Sequence, residues 1–281
     1  MQQTSETTHR LRARTFTCMG TVISLTVPTE ARKAPQTAVD ELEAATAVVE
    51  RLFTELDSIF SLYRTDSEAS RLVRGELALP AASAEMRARY GEAAEWRLLT
   101  EGAFTPERPD GALDLSGIVK GHAIREAGMS LLALGMANWC LNAGGDVLVS
   151  GSPNPGSDAP WRAGIVDPAD RRTLLAGFPL GGLLRGGLTS AEQTADGGTR
   201  VALATSGSAE RGDHIWSAPA GAADFLQVSV AAADVVTADV LATAIVAGGI
   251  PMLNRATAMW DIEALAVRTN GDLLATDGFR Q

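Results

Sequence analysis

Two oxygen-bearing side chains, Asp239 and Thr243, lie four residues apart in a segment whose helical spacing begins at Thr237. Residues four apart project from one face of an α-helix, one turn from each other. A carboxylate and a hydroxyl placed in this way are hard oxygen ligands of the kind that Mg²⁺ prefers, and a backbone carbonyl with phosphate oxygens would complete the shell. An aspartate in the first turn of a helix also interacts favourably with the helix dipole alone, so both interpretations stay open.

Four short clusters contain glycine, which allows a backbone to approach a ligand closely or to adopt positive φ. They are Met19 to Thr21, Asp114 to Gly121, Asn142 to Asp146 and Ala204 to Ser208. The second cluster directly precedes a predicted helix, so its N–H groups and the Lys120 ammonium would suit a phosphate or a diphosphate. A tight strand-to-helix turn explains the same residues without a ligand. Neither a dinucleotide-binding Gly-x-Gly-x-x-Gly motif nor a P-loop is present.

His214 is the histidine best placed for catalysis, because it follows Arg211-Gly212-Asp213 in a predicted loop between two strand-like runs. A loop histidine that titrates near neutral pH suits a general base acting on a hydroxyl, although an ordinary surface histidine fits the same position. The sequence contains no Gly-x-Ser-x-Gly motif, so it does not indicate a serine hydrolase. Tyr63 follows a long predicted helix, where its ring could stack on a ligand or simply lie partly exposed.

Helices and short strands must position these groups. Apolar residues three or four apart and capping residues predict helices over 39–60, 83–101, 120–134 and 237–246. Strands are predicted over 14–27, ending at Pro28, and over 139–141, 147–150, 163–166 and 201–205. The runs 263–269 and 272–276 flank Asn270-Gly271, a dipeptide typical of type I′ hairpins. The order of these elements predicts an α+β fold.

Composition limits the classes of function. The chain has 281 residues, of which 46% are hydrophobic, and we predict a flexible N-terminus over 1–13 and one domain over 14–281. Its formal charge of 24 − 34 = −10 disfavours nucleic acid and anionic membrane surfaces as partners. Without an apolar leader or a long uncharged apolar stretch, we expect a cytoplasmic protein with no membrane association. Cys18 and Cys140 are expected to be buried, reduced thiols.

These clusters, in this order, resemble the ApbE family of FAD:protein FMN transferases from Met19 to about Gly249. Seven ordered segments carry the resemblance: Met19 to Thr21, Phe60 to Glu68, Gly102 to Phe104, Asp114 to Gly121, Leu141 to Asp146, Ala204 to Gly207, and Ala238 to Ala244. The resemblance implies mixed sheets with packed helices in the T-fold-like architecture of ApbE proteins. It also implies Mg²⁺-dependent transfer of FMN from FAD to a Thr or Ser of a target flavoprotein, with release of AMP.

The resemblance further implies roles for single residues. Asp239, Thr243 and the carbonyl of Gly117 would hold Mg²⁺. His214 would be catalytic and would take the proton of the acceptor hydroxyl. Contacts to FAD would come from seven residues: Met19, Tyr63, Ala103, Phe104, Asp114, Lys120 and Ile215.

The chain departs from the family pattern after Phe104 and near His214. Ser217 stands where the family usually has an aspartate, so flavin binding is more firmly implied than transfer. His122 replaces the usual aromatic residue, and only 105–113 separate Phe104 from Asp114, which together predict a changed substrate entrance. Two alternatives therefore stay open: an FAD pyrophosphatase that gives FMN and AMP with water as acceptor, and a non-catalytic FAD-binding protein.

Overall fold

The computed structural model describes residues 9–30, 35–157, 159–181, 199–207 and 224–280. Within them the strands are β1 (His9–Cys18), β2 (Thr21–Glu30), β3 (Trp139–Ala143), β4 (Asp146–Ser150), β5 (Trp161–Val166), β6 (Leu174–Leu180), β7 (Ala202–Gly207), β8 (Phe225–Ala232), β9 (Glu263–Arg268) and β10 (Leu273–Ala275). The α-helices are α1 (Pro35–Phe60), α2 (Glu68–Val73), α3 (Ala84–Leu99), α4 (Ser116–Ala133) and α5 (Val235–Met259). The predicted α+β class is confirmed.

Eight strands form one sheet in the order β1-β2-β3-β4-β7-β8-β9-β10, and each pair of neighbours is antiparallel. The first four helices lie in the chain between β2 and β3, and α5 lies between β8 and β9. The strands β5 and β6 pair separately as a two-stranded sheet. Helices inserted at two points of the chain of strands thus provide a helical layer for the large sheet.

The two faces of the large sheet are covered by different elements. Ser206 on β7 pairs in register with Val228 on β8, and the Ser206 hydroxyl lies 2.9 Å from that of Thr243 on α5. Successive side chains of a strand point to opposite faces, so Gln227 points away from α5. Its amide nitrogen donates to the carbonyl of Val166 on β5 at 3.0 Å. The β5–β6 hairpin therefore covers the face opposite α5.

The single strand predicted over 14–27 is in fact two strands, β1 and β2, joined by Met19-Gly20. Both turn residues have positive φ, 49° and 70°, as a type I′ turn requires. The first strand begins at His9, so 9–13, which were assigned to the N-terminal extension, pair with β2. Pro28 does not end β2. Only residues 23–26 of β2 pair with β3, so the missing N–H of Pro28 removes no hydrogen bond to β3.

The predicted helices are present, with shifted ends. The apolar stripe of α1 is buried, and the Ser83 hydroxyl accepts the N–H of Met86 at the start of α3 as predicted. The helix α4 begins at Ser116, four residues earlier than predicted, because the Asp114 carboxylate accepts the Ser116 N–H at 2.9 Å. Gly117 and Lys120 therefore belong to the first two turns of α4 and not to a preceding loop.

The helix α5 runs 13 residues past its predicted end at Val246. Its backbone is interrupted at Gly249, which has φ of 64°, and it resumes because the Asp224 carboxylate accepts the Ile250 N–H at 3.1 Å. By length and composition α5 could cross a membrane, but it lies mostly buried inside the protein. Burial in the core accounts for its apolar composition.

The predicted β9–β10 hairpin is confirmed, but its turn type is different. Gly271 has φ of 88°, whereas Asn270 is not among the described residues with positive φ. The Gly271 N–H donates to the Arg268 carbonyl at 2.9 Å, and the Arg268 N–H donates to the Asp272 carbonyl at 2.8 Å. This pattern is a type I turn followed by a glycine bulge and not the type I′ turn expected from Asn270-Gly271.

Both cysteines are free thiols that are partly buried. Burial raises the pKa of the Cys140 thiol to about 12. Burial, with the Asp57 carboxylate as a smaller cause, also raises the pKa of Cys18. Neither thiol is therefore activated as a nucleophile.

Candidate functional site

Two glycine-containing turns lie side by side at the edge of the large sheet that the ends of its strands form. Met19-Gly20 joins β1 to β2, and Gly144-Gly145 joins β3 to β4 with φ of 65° and 100°. A Cβ added at Gly144 would lie 2.3 Å from the Thr21 hydroxyl oxygen, so only glycine fits at that position. The close packing of these turns places the start of β4 next to the β1–β2 hairpin.

A buried charge cluster lies at this edge. The Lys120 ammonium on α4 forms ion pairs with Asp146 Oδ2 and, at 3.5 Å, with Asp239 Oδ1. Asp146 is 0% exposed, Asp239 is 2% exposed, and the Lys120 side chain is 12% exposed. Asp146 is the first residue of β4, and its Oδ1 accepts the Thr205 N–H of β7 at 3.0 Å. The cluster thus joins α4, α5, β4 and β7.

The second predicted metal ligand lies beside the cluster. Thr243 is one turn after Asp239 on α5, and its hydroxyl oxygen is 2.9 Å from that of Ser206. Gly121 allows this arrangement, since a Cβ there would lie 3.0 Å from Val236 Cα and 3.4 Å from Asp239 Oδ2. The helices α4 and α5 therefore approach closely at the level of the two aspartates.

The start of α4 contacts the loop after α3. A Cβ added at Gly117 would lie 3.1 Å from Phe104 Cε2, so two predicted site residues, Gly117 and Phe104, are neighbours. The Phe104 N–H is fixed by the Thr100 hydroxyl at 3.0 Å. Ala103 lies against α5, since its Cβ would be 3.0 Å from one added at Gly248. The Asp114 carboxylate accepts the Ser116 N–H at the start of α4.

Two predicted flavin contacts lie near the β1–β2 turn. Met19 is in the turn itself and packs against the core. The second half of α1 packs against β1, because the rings of Phe53 and Phe16 meet edge to face with their centroids 6.0 Å apart. Tyr63 follows α1 with 85% of its surface exposed. A ligand at this edge could therefore reach both residues.

The side chains in and beside the cluster that could bind a cation all offer oxygen atoms. Asp239, Asp146, Thr243 and Ser206 supply two carboxylates and two hydroxyls, and Lys120 leaves a formal charge of 1 − 2 = −1. Within the described ranges, no group of three His, Cys, Asp or Glu side chains is arranged to enclose an ion. A cation here would need additional carbonyl, water or phosphate oxygens. That requirement fits Mg²⁺, which keeps several waters and binds through one or two carboxylates with phosphates.

Comparison with known proteins decides the family. The sequence profile of the ApbE family matches residues 19–108 and 104–266. The chain belongs to the ApbE family. No curated protein sequence gives a match.

Solved ApbE structures have the same fold. "Flavin Transferase ApbE from Vibrio cholerae" superposes with a TM-score of 0.72 at 23% identity, over 97% of this chain and 99% of that chain. An ApbE protein from Thermotoga maritima gives 0.71 at 18% identity, with 96% and 98% covered. The apo form of Pseudomonas stutzeri flavinyl transferase ApbE gives 0.70 at 21% identity, with 96% and 95% covered. The predicted ApbE-type architecture is confirmed.

Two of the predicted ApbE site residues, His214 and Ile215, lie outside the described residues, as does Ser217. Their roles stay predictions. Gly207, the last residue of β7, and Asp224, directly before β8, mark the ends of the segment that contains them.

His122 does not point toward the cluster, and the predicted change of the substrate entrance stays a prediction. It lies two residues after Lys120 on α4, which places the two side chains on nearly opposite faces of the helix. Its ring is buried against α3, where Nε2 lies 2.8 Å from Glu92 Oε2 and 2.7 Å from Arg89 Nη1. Burial tends to raise the pKa of Glu92, but His122 and Arg89 outweigh it and lower that pKa.

No role was predicted for Asp146 or Ser206, although both lie in the glycine-containing clusters. Asp146 ends the Asn142 to Asp146 cluster, and Ser206 is in the Ala204 to Ser208 cluster. A carboxylate directly after two glycines was the available clue to Asp146, because such a residue begins a strand beside a close backbone approach. Its pairing with Lys120 could not be predicted from spacing, since the two residues are 26 positions apart.

Proposed function

We propose that this member of the ApbE family transfers the FMN half of FAD to a threonine or serine of a target flavoprotein, with Mg²⁺ as cofactor and AMP as second product. Family membership and the flavin transferases of the same fold support a transferase. The observation that carries the proposal is the buried cluster in which Lys120 and Asp239 meet at the edge of the sheet. The Lys120 ammonium suits the negative oxygens of a diphosphate. The Asp239 carboxylate suits the metal ion that a diphosphate binds.

The donor chemistry supports the choice of metal and substrate. Asp239, Thr243 and the Gly117 carbonyl would hold Mg²⁺, and the bound ion would offset negative charge on the diphosphate. Lys120 would direct its ammonium toward the phosphate oxygens. Phe104, packed against Gly117, and the exposed ring of Tyr63 would contact the flavin. Because the diphosphate is the recognised element, we expect FAD to bind more tightly than FMN.

The transfer itself requires a base and a positioned hydroxyl. His214 would accept the proton of the acceptor hydroxyl, whose oxygen forms a bond to the phosphorus of the FMN half. The bond from that phosphorus to the bridging oxygen breaks, and AMP leaves with that oxygen. The acceptor is a flavoprotein, and neither a nucleic acid nor a membrane is part of the proposal. We place the reaction in the cytoplasm.

Product analysis tests this proposal. The protein is incubated with FAD and Mg²⁺, with and without a flavoprotein domain that carries the target threonine. AMP is measured by chromatography, and covalent flavin on the acceptor is measured by fluorescence after denaturing electrophoresis. We expect AMP and labelled acceptor in equal amounts, and neither after Mg²⁺ is chelated.

Other products would overturn the proposal in defined ways. AMP without labelled acceptor, at the same rate when acceptor is omitted, would identify an FAD pyrophosphatase. Retained FAD with no AMP would identify a flavin-binding protein without transfer chemistry. Equal affinity for FMN and FAD would exclude the diphosphate as the recognised group.

A further inference from the structure

Asp146 is a completely buried carboxylate whose two oxygens have different partners. Its Oδ1 accepts the Thr205 N–H at 3.0 Å, which fixes the side chain to β7. Its Oδ2 forms an ion pair with the Lys120 ammonium on α4. A buried charge is tolerated only where an opposite charge and hydrogen bonds compensate it, and both are present here.

Lys120 lies between two buried carboxylates, and its contacts with them differ in kind. The distance from Lys120 Nζ to Asp239 Oδ1 is 3.5 Å, longer than the 2.7–2.9 Å typical of a charge-assisted hydrogen bond. Asp146 is fixed by the sheet, whereas Asp239 projects from α5 beside Thr243. The ammonium is thus anchored on the strand side, with Asp239 as a second, looser partner.

We infer that Asp146 is a positioning residue that holds the Lys120 ammonium away from full ion pairing with Asp239, so that Asp239 can bind a divalent cation. This inference rests on the proposed magnesium site. A divalent cation and the Lys120 ammonium compete for the Asp239 carboxylate. Each interacts most strongly with this carboxylate when the other is not beside it. With Asp146 present, the cluster keeps a net charge of −1 and Lys120 has a partner other than Asp239.

Asp146→Asn tests the inference because the amide oxygen can still accept the Thr205 N–H while the charge is lost. Lys120 would then have Asp239 as its one carboxylate partner in the cluster. We expect the dissociation constant for Mn²⁺, an ion with similar oxygen preference, to rise about tenfold or more. Binding is measured on the protein without FAD, from the electron paramagnetic resonance signal of free Mn²⁺.

A double-mutant cycle separates competition by Lys120 from a simple loss of charge. If Asp146 acts through Lys120, Asp146→Asn has little effect on Mn²⁺ binding in a Lys120→Met background. If Asp146 acts only by its charge, it weakens binding by the same factor in both backgrounds, and the inference is overturned. Lys120→Met alone should bind Mn²⁺ at least as tightly as the parent, and weaker binding would also overturn the inference.

The parent and Asp239→Asn distinguish failure of this inference from failure of the magnesium site. If the parent does not bind Mn²⁺, the proposed site is wrong and the inference falls with it. If the parent binds and Asp239→Asn does not, but Asp146→Asn binds like the parent, the inference alone is wrong. Should Asp146→Asn fail to fold, Lys120→Met gives an independent test, because we expect Mn²⁺ to raise its melting temperature more than that of the parent.

Discussion

Arg125 on α4 forms a bidentate ion pair with Asp234, the residue that caps the start of α5, with nitrogen–oxygen distances of 2.8 and 2.7 Å. Asp234 also accepts the Thr237 N–H at 2.8 Å. The pair joins the helix that carries Lys120 to the helix that carries Asp239. Loss of this ion pair would therefore affect both the stability of the fold and the relative positions of Lys120 and Asp239.

We expect Asp234→Asn to lower stability at pH 7 by about 1–2 kcal/mol, since asparagine still caps the helix but the charged pair is lost. Burial raises the pKa of Asp234, but the bonds and charge of Arg125 and the bonds from Thr237 outweigh it, so the pKa is lowered overall. A lowered pKa stabilises the fold above the unfolded value of about 3.9, and the gain is lost as pH falls through the folded value.

The difference in stability between parent and Asp234→Asn should therefore be constant from neutral pH to about pH 5 and shrink below about pH 4. Urea denaturation at several pH values measures it. Asp277→Asn is the matched control, because Asp277 pairs with Arg280 at 3.4 Å while 96% exposed, and exposed pairs contribute little. A difference that grows toward low pH would contradict the assigned cause.

Asp239→Asn should abolish Mg²⁺-dependent AMP release, because the amide conserves volume but removes the carboxylate proposed to bind the ion. Thr243→Val should reduce release less, since water can replace a neutral hydroxyl ligand. The exposed aspartate of the β9–β10 turn supplies the control Asp272→Asn, which should match the parent. Circular dichroism establishes folding before AMP is measured. Equal losses in Asp239→Asn and Thr243→Val would show that the pair serves only the helix.

His214→Ala should retain FAD and lose transfer to the acceptor, because the base is needed for the acceptor proton and contributes little to binding of the donor. Fluorescence titration measures FAD affinity, and labelling of the acceptor measures transfer. His122→Gln serves as the histidine control, since its ring is buried against α3, away from the charge cluster. Transfer at the parent rate in His214→Ala would remove this residue from the mechanism.

Gly249→Ala should destabilise the protein by about 1–3 kcal/mol, because φ of 64° strains a residue with a side chain. The new Cβ would also lie 2.2 Å from Asp224 Oδ2, the atom that caps the second part of α5. Gly91→Ala is the opposite control. Gly91 lies in α3 with open space around its Cβ position, and the change should stabilise by about 0.4–1 kcal/mol. In chemical denaturation, Gly91→Ala should have the highest free energy of unfolding, the parent an intermediate one and Gly249→Ala the lowest.

Local patterns predicted those elements that local interactions determine. The stripe of α1 and the cap at Ser83 were confirmed because residues near in sequence fix both. The turn at Met19-Gly20 was missed because methionine is not a usual residue for positive φ. No bounds were predicted for β8, since nearly all of its residues are buried and it lacks strict alternation.

The site was predicted only where a motif carried the information. The pair Asp239 and Thr243 follows from helical spacing, but the meeting of Lys120 with Asp239 depends on the packing of α4 against α5. That packing requires Gly121, whose missing side chain admits Val236. The end of α5 was misplaced because Gly248-Gly249 and Pro251 predict a stop, whereas Asp224 supplies a new cap from distant sequence.

The position of β1 as the outermost strand has a consequence for solubility. Among the strands that the structure describes, none pairs with the outer side of its backbone, which would let a second copy pair with it. Its sequence carries Arg10, Arg12 and Arg14 and no acidic residue, although the whole chain has a net charge of −10. Two such edges brought together would place three arginines against three, of which Arg14 is partly neutralised by its ion pair with Glu43 at 2.9 Å. Like-charge repulsion therefore opposes edge-to-edge aggregation of this protein.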